Sequence, residues 1–306
     1  MMIVVTGASG FVGKAVANEL MRAGIDKVRL VDRFVEPHPV FATVSGDLTQ
    51  ADVVDKALDG ASHVLHLAAL PGRSAERDPE LSRRVNLDLP MTILAAAKGR
   101  RLVFASSIAV FGDLPPEPVD DQTPTSPISV YGTHKMMMEL AFANVARRRQ
   151  AEGLVIRLPG IVARPFGAGG FGSAFLSDIF HAARRGERYA LPVSTQAASW
   201  LLSVSACARL LVDALLGGST SPQPVNAPAL RVELLELTRR LGGDRAGSLF
   251  SFVPDPAIER AFAAHPPLST LRAEALGLRG DANLDELIAA ATDDARSTAS
   301  DGTLTP

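Results

Sequence analysis

Tyr131 and Lys135 stand four residues apart in a segment of helical composition, Tyr131-Gly132-Thr133-His134-Lys135. That spacing stacks both side chains on one helix face, one turn apart. A tyrosine at its reference pKa of ~10 is a poor base near neutrality, and a neighbouring ammonium stabilises the phenolate and lowers that value. The pair can then take a proton from an alcohol while hydride leaves its carbon, or return one to a carbonyl. The chain has only two tyrosines, and this one opens a helix soon after a segment that reads as the fourth strand. Ser106-Ser107 closes that strand. A hydroxyl at the carboxyl end of a parallel strand can hold the reacting oxygen toward Tyr131, although a serine there also serves as a plain turn former.

A second constellation lies at the start of the chain, Thr6-Gly7-Ala8-Ser9-Gly10-Phe11-Val12-Gly13, between a strand and a helix. Glycines at Gly7, Gly10 and Gly13 allow a tight turn, a close approach of backbone to a pyrophosphate, and close helix–strand packing. The helix N-terminus, with its open N–H groups and positive dipole, then faces the phosphates. The spacing is G-x-x-G-x-x-G rather than G-x-G-x-x-G. Asp32 ends the second predicted strand, 19 residues beyond Gly13, where a carboxylate accepts the adenosine ribose hydroxyls. Its charge repels a 2′-phosphate, so the expected cofactor is NAD. Arg33 beside it is the one feature that would attract that phosphate.

The elements needed to position these groups are readable. Ile3 to Thr6, Lys27 to Asp32, His63 to Ala68, Arg101 to Ser106 and Leu154 to Leu158 are short apolar runs bounded by Gly, Asp or Ser, and read as buried strands. Phe11 to Ala23, Ala51 to Leu58, Val85 to Ala97 and Tyr131 to Arg149 alternate with them as helices. The alternation predicts an α/β fold, a doubly wound parallel sheet with helices on both faces. A smaller mixed C-terminal part follows. It contains a Gly-rich loop at Gly167 to Gly172, helices over Ser173 to Arg185, Ser205 to Leu216 and Val232 to Leu241, and a strand from Trp200 to Val204. Asn283 and Glu286 form a capping box opening a last helix, and the residues from about Thr292 read as an unstructured tail.

Composition narrows the class of partner. The 306 residues carry a net charge of −2, which argues against nucleic acid. One cysteine, Cys207, excludes an internal disulfide, and no Cys or His cluster marks a metal site. The first residues lack the form of a signal peptide, and no apolar run reaches the ~20 residues of a membrane span. The expected compartment is the cytoplasm.

Together with Asp47-Leu48, His66-Leu67-Ala68-Ala69, Asn86 and the stretch Ser106 to Gly112, these motifs resemble the extended short-chain dehydrogenase/reductase family. That family includes NAD-dependent epimerases and dehydratases. The resemblance runs from about Met2 to Ala291 and implies a Rossmann fold. It assigns Gly7, Gly10, Phe11, Val12 and Gly13 to the pyrophosphate, and Asp47 and Leu48 to the adenine. Leu67, Ala68 and Ala69 would pass the ribose and nicotinamide, with Asn86 behind them. Ser107 and Tyr131 become the catalytic hydroxyls, Lys135 also binds the nicotinamide ribose, and Leu158 and Pro159 contact the nicotinamide end. Residues 1–165, taking in about 200–228, would bind NAD, and 166–199 with 229–291 would bind substrate.

Within the family the chain most resembles the D-erythronate dehydrogenases, on stretches such as Val119-Asp120-Asp121, Arg157-Leu158-Pro159, Trp200 to Ser203 and Pro254 to Ile258. A sugar-acid substrate needs a cation for its carboxylate, best an arginine fork. Arg164 is the first candidate and Arg73 the second, each otherwise a surface residue. Trp200 either walls the pocket or packs in the core, and the Gly167 to Gly172 loop is either a lid or a plain connection. The alternative activity is nucleotide-sugar epimerisation or dehydration. The C-terminal half, which shows no basic pair for a diphosphate, disfavours it. A third reading, a cofactor-binding regulator without chemistry, leaves the Ser107, Tyr131 and Lys135 trio unexplained. The helix from Tyr131 carries Met136, Met137, Met138, Leu140, Phe142 and Val145, too much apolar surface for one buried face. It is expected to pair with its copy, and with the Val85 to Ala97 helix, across the two-fold interface of a homodimer.

Overall fold

β-Branched and leucine-rich runs bury both faces of the central strands. In the first, β1 (Ile3–Thr6), Ile3, Val4 and Val5 are all fully buried. Ile3 and Val5 pack toward one helical layer and Val4 toward the other, as the twofold period of a strand requires. The computed structural model describes residues 1–96, 98–166 and 172–300, with side chains through 293.

β1 is followed by β2 (Val28–Asp32), β3 (Ala42–Ser45), β4 (His63–His66), β5 (Arg101–Ser107), β6 (Glu152–Leu158), β7 (Gly160–Val162), β8 (Tyr189–Leu191), β9 (Ala198–Ser203), β10 (Val225–Asn226), β11 (Leu230–Glu233) and β12 (Phe250–Phe252). Seven of them form one sheet in the order β10-β6-β5-β4-β1-β2-β3, every pair parallel. The order reverses between β1 and β4, so the connections leaving those two strands diverge and open a crevice at their carboxyl ends. The helices Phe11–Arg22 and Val204–Leu216 cover one face. Ala51–Leu58, Leu89–Ala95 and Val130–Arg147 cover the other. The result is a doubly wound Rossmann-type sheet.

The remainder is the expected smaller mixed part. A three-stranded sheet, β11-β9-β7, and a two-stranded one, β12-β8, share a second apolar core with the helices Phe175–Arg185, Leu234–Gly242 and Leu284–Ser300. The helix expected over Val85 to Ala97 is split. Arg84–Asp88 forms a π turn, and a regular helix resumes at Leu89–Ala95 with Pro90 in its first turn, where a missing N–H costs least. The tail expected from Thr292 instead continues as helix to Ser300. The last six residues, and residues 167–171 of the Gly-rich loop expected as a lid or a plain connection, lie outside the described residues. No described helix is long and apolar enough to cross a membrane.

Candidate active site

Gly7 sits at the carboxyl end of β1 with φ +72°, a left-handed conformation that favours glycine. A Cβ there would lie 2.6 Å from the Ala68 nitrogen. A Cβ on Gly13 would lie 2.2 Å from the Gly7 carbonyl oxygen. Both positions therefore demand glycine for space, which seats the helix end and the β4 connection directly against the turn. Gly10 caps the helix from Phe11 without a side-chain hydrogen bond, leaving its first amides open. Asp32 locks the turn to β2, since its carboxylate accepts from the amides of Ser9 at 3.0 Å and Arg33 at 2.7 Å. Asp47 is exposed, and the amide and hydroxyl of Thr49 hold its carboxyl below the usual range. Leu48 is buried beneath it. A glycine cradle, an open helix end and a carboxylate at the end of β2 fit a dinucleotide.

The residues expected to handle the proton gather at the carboxyl ends of β5 and β6. Ser129 caps the helix Val130–Arg147 by accepting from the Gly132 amide, which fixes Tyr131 in the first turn. Burial pushes the Tyr131 phenol up to about 12, against a hydrogen bond with Ser107 and the charge of Arg164, which both pull it down. The Lys135 ammonium donates to the Ala105 carbonyl at 2.7 Å and lies 4.6 Å from the Phe104 ring centre and 5.6 Å from that of Tyr131. Burial brings Lys135 itself down to about 7, opposed by Glu139 one turn along the helix.

The two serines of the pair separate. Ser107 faces Tyr131, whereas Ser106 donates to buried Glu139 at 2.6 Å. Glu139 also forms a fork-to-fork pair with buried Arg157 at 2.8 Å. Sequence reasoning did not assign Glu139 a role, although its spacing of four from Lys135 was there to be read. Arg164, after β7, donates to the Ile161 carbonyl and the Ser173 hydroxyl. Burial brings its guanidinium down to about 10, against the charges of Tyr131 and Asp178.

The other expected residues divide. Leu67, Ala68 and Ala69 follow β4, with the backbone of the first two against Gly7, and Leu158 ends β6 beside Ser107, with Pro159 next. Asn86 is buried, and its amide is spent on Leu70 and Ser82, so it holds the loop from behind. Arg73 is exposed on the short helix Gly72–Arg77. Trp200 is corrected. It is fully buried, stacked on His265, edge-on to Phe111, and donates to the Pro266 carbonyl, which leaves it no surface for a ligand. Among the described residues no group of His, Cys, Asp or Glu could hold a metal.

A dinucleotide cradle beside a Ser–Tyr–Lys cluster defines an oxidoreductase of the Rossmann class. Known proteins agree. Residues 3–216 match the NAD dependent epimerase/dehydratase family. D-erythronate dehydrogenases from Cupriavidus necator and Haemophilus influenzae are 32% and 30% identical, over 96% and 94% of this chain and 99% and 98% of their own. The solved nucleoside-diphosphate-sugar epimerase of Agrobacterium tumefaciens superposes with a TM-score of 0.88 at 28% identity, covering 97% of this chain and 95% of its own. The chain belongs to the NAD-dependent epimerase/dehydratase family.

Proposed function

We propose that this NAD-dependent oxidoreductase oxidises a hydroxyl of a small sugar acid, D-erythronate or a close analogue, to the keto acid. The observation that carries the proposal is Arg164, held after β7 by the Ile161 carbonyl and the Ser173 hydroxyl, whose charge lowers the Tyr131 phenol. An arginine fork beside a proton acceptor suits a substrate that carries a carboxylate next to its reacting alcohol. The two D-erythronate dehydrogenase relatives, matched along almost their whole length, support the same substrate class.

In this reading Gly7, Gly10, Phe11, Val12 and Gly13 hold the pyrophosphate and Asp32 the adenosine ribose. Asp47 and Leu48 flank the adenine, and Leu67 to Ala69, Lys135, Leu158 and Pro159 border the nicotinamide end. NAD, when bound, supplies the hydride acceptor. Ser107 orients the substrate hydroxyl, Tyr131 takes its proton, and Arg164 holds the carboxylate, with exposed Arg73 as a second cation at the mouth. Residues 1–165 and about 200–228 form the cofactor half; 166–199 and 229–291 form the substrate half.

The same reading takes the enzyme as a cytoplasmic homodimer. Met137, Leu140 and Met91 are 42%, 64% and 44% exposed on the helices Val130–Arg147 and Leu89–Ala95, an apolar face that a second copy would bury. Light scattering at micromolar concentration tests this, and a monomer overturns it.

The test of activity is absorbance at 340 nm with NAD and C4 to C6 sugar acids. Steady NADH formation with D-erythronate or a neighbour is expected. Silence across the panel, with NAD binding intact by thermal shift, overturns the sugar-acid reading in favour of nucleotide sugars. The likeness to the Agrobacterium epimerase makes that the second reading.

A further inference from the structure

We infer that His134 is a positioning residue for the cofactor seat: through Ser82 and Asn86 it ties the helix carrying Tyr131 and Lys135 to the backbone at Leu70. The inference rests on the NAD reading above.

The path is continuous. The Leu70 amide donates to Asn86 Oδ1 at 2.8 Å, and Asn86 Nδ2 donates to the Leu70 carbonyl and to Ser82 Oγ, each at 3.0 Å. Ser82 Oγ lies 3.0 Å from His134 Nδ1. Ser82 and Asn86 are buried. Ser82 Oγ accepts from Asn86, and in the proposed path its own proton is directed to His134. Nδ1 is then the acceptor, and the imidazole is neutral with its proton on Nε2. Burial holds His134 below its ordinary pKa, which keeps that form at neutral pH.

Both ends of the path matter for chemistry. Its far end fixes the loop that leaves β4, whose Leu67 and Ala68 backbone abuts Gly7 so closely that a Cβ there would clash. Its near end is the residue before Lys135. A second tie joins the same two segments, since Glu76 of the helix Gly72–Arg77 accepts from the Val130 amide at 2.6 Å. The residues just before Tyr131 and just before Lys135 are thus anchored to the segment that follows β4. A shift of that segment changes cofactor affinity and the approach to Tyr131 together.

Asparagine carries an acceptor oxygen close to where histidine carries Nδ1, and leucine carries none. The test is calorimetric titration of NAD into the full-length wild type, His134→Leu, His134→Asn and Ser82→Ala, with melting of each protein without NAD. His134→Leu is expected to weaken NAD binding roughly tenfold, since it strands a buried hydroxyl. His134→Asn should stay within about twofold of wild type, because its acceptor replaces the lost one. Ser82→Ala breaks the path at another point and should match His134→Leu, and the double variant should lose little more than either single one. Lower melting temperatures with unchanged NAD affinity would make the contact a helix-packing bond and overturn the inference, as would failure of His134→Asn to rescue. A wild type that binds no NAD would overturn the cofactor reading itself. A wild type that binds NAD beside unaffected variants would overturn only the role of His134.

Discussion

At Tyr131, burial and charge act in opposite directions. Withdrawal from water pushes the phenol up to about 12, and Ser107 and Arg164 oppose it. The residue is thus built to hold its proton until its surroundings change, which suits a group that must both accept and return one. Tyr131→Phe should lower turnover by about 10³-fold, the usual scale of a lost general acid–base group, with melting temperature little changed; the 340 nm assay reads it. Arg164→Gln removes a downward influence on the phenol, so the limb of the kcat/KM profile that reports Tyr131 should move to higher pH while KM for the acid rises. Arg164→Lys keeps the charge and should keep the limb while losing the two-pronged grip, so KM alone rises. Movement of the limb in both variants would remove charge as the cause. The Tyr131 and Lys135 spacing was legible because it is local, one turn of a single helix, and Ser107 was named from its place at a strand end, with the fold bringing it to Tyr131. The cation beside the phenol was not legible, because it arrives from another strand. Arg164 could be named as a carboxylate candidate, but only the fold brings it to Tyr131 and turns Lys135 toward the Ala105 carbonyl. Trp200 shows the same limit, since nothing in its neighbours along the chain announces His265 and Pro266.

At the scale of elements, the turn between β1 and the helix Phe11–Arg22 is a steric construction. Gly13 carries helical backbone, so its need for glycine is a matter of space: the missing Cβ would meet the Gly7 oxygen at 2.2 Å and Ala8 Cα at 2.7 Å. Those neighbours are backbone and cannot rotate away. Gly13→Ala should therefore push the helix off the sheet, cost about 1–3 kcal/mol as an overpacked site does, and weaken NAD binding more than tenfold; urea unfolding and calorimetry measure the two. Gly24→Ala gives the contrast, because a Cβ there meets nothing and only the φ of +70° resists it. NAD affinity should survive that change. The five strands of the central sheet read from sequence are the apolar ones, whose composition reports two-sided burial. β3, a half-exposed Ala-Thr-Val-Ser edge, and β10, two residues long, carry no such signal. They are strands because neighbours offer them open backbone, a tertiary cause that local composition does not encode.

Two histidines, one in the central sheet and one against Trp200, are kept neutral by burial. His66, in β4, bonds Thr6 through Nδ1 at 2.7 Å, and burial takes its pKa down to about 3. His265 accepts from the Trp200 amide at 3.0 Å, and burial takes it down to about 4. An unfolded chain protonates both near 6.5. Between that value and the folded ones the unfolded state binds more protons, so stability is full above pH 6.5 and falls as pH falls. From pH 7 to pH 5 each histidine should remove about 2 kcal/mol. Asp121, whose carboxyl burial raises, titrates with the opposite sign, so the total slope is a sum and a single variant isolates one part of it. His265→Asn keeps an acceptor for the Trp200 amide and removes the titration. Urea unfolding of wild type and His265→Asn at pH 7 and pH 5 should show the difference between the two pH values shrinking by about 2 kcal/mol in the variant. An unchanged difference would mean that His265 reaches water, and its proton, before the fold gives way.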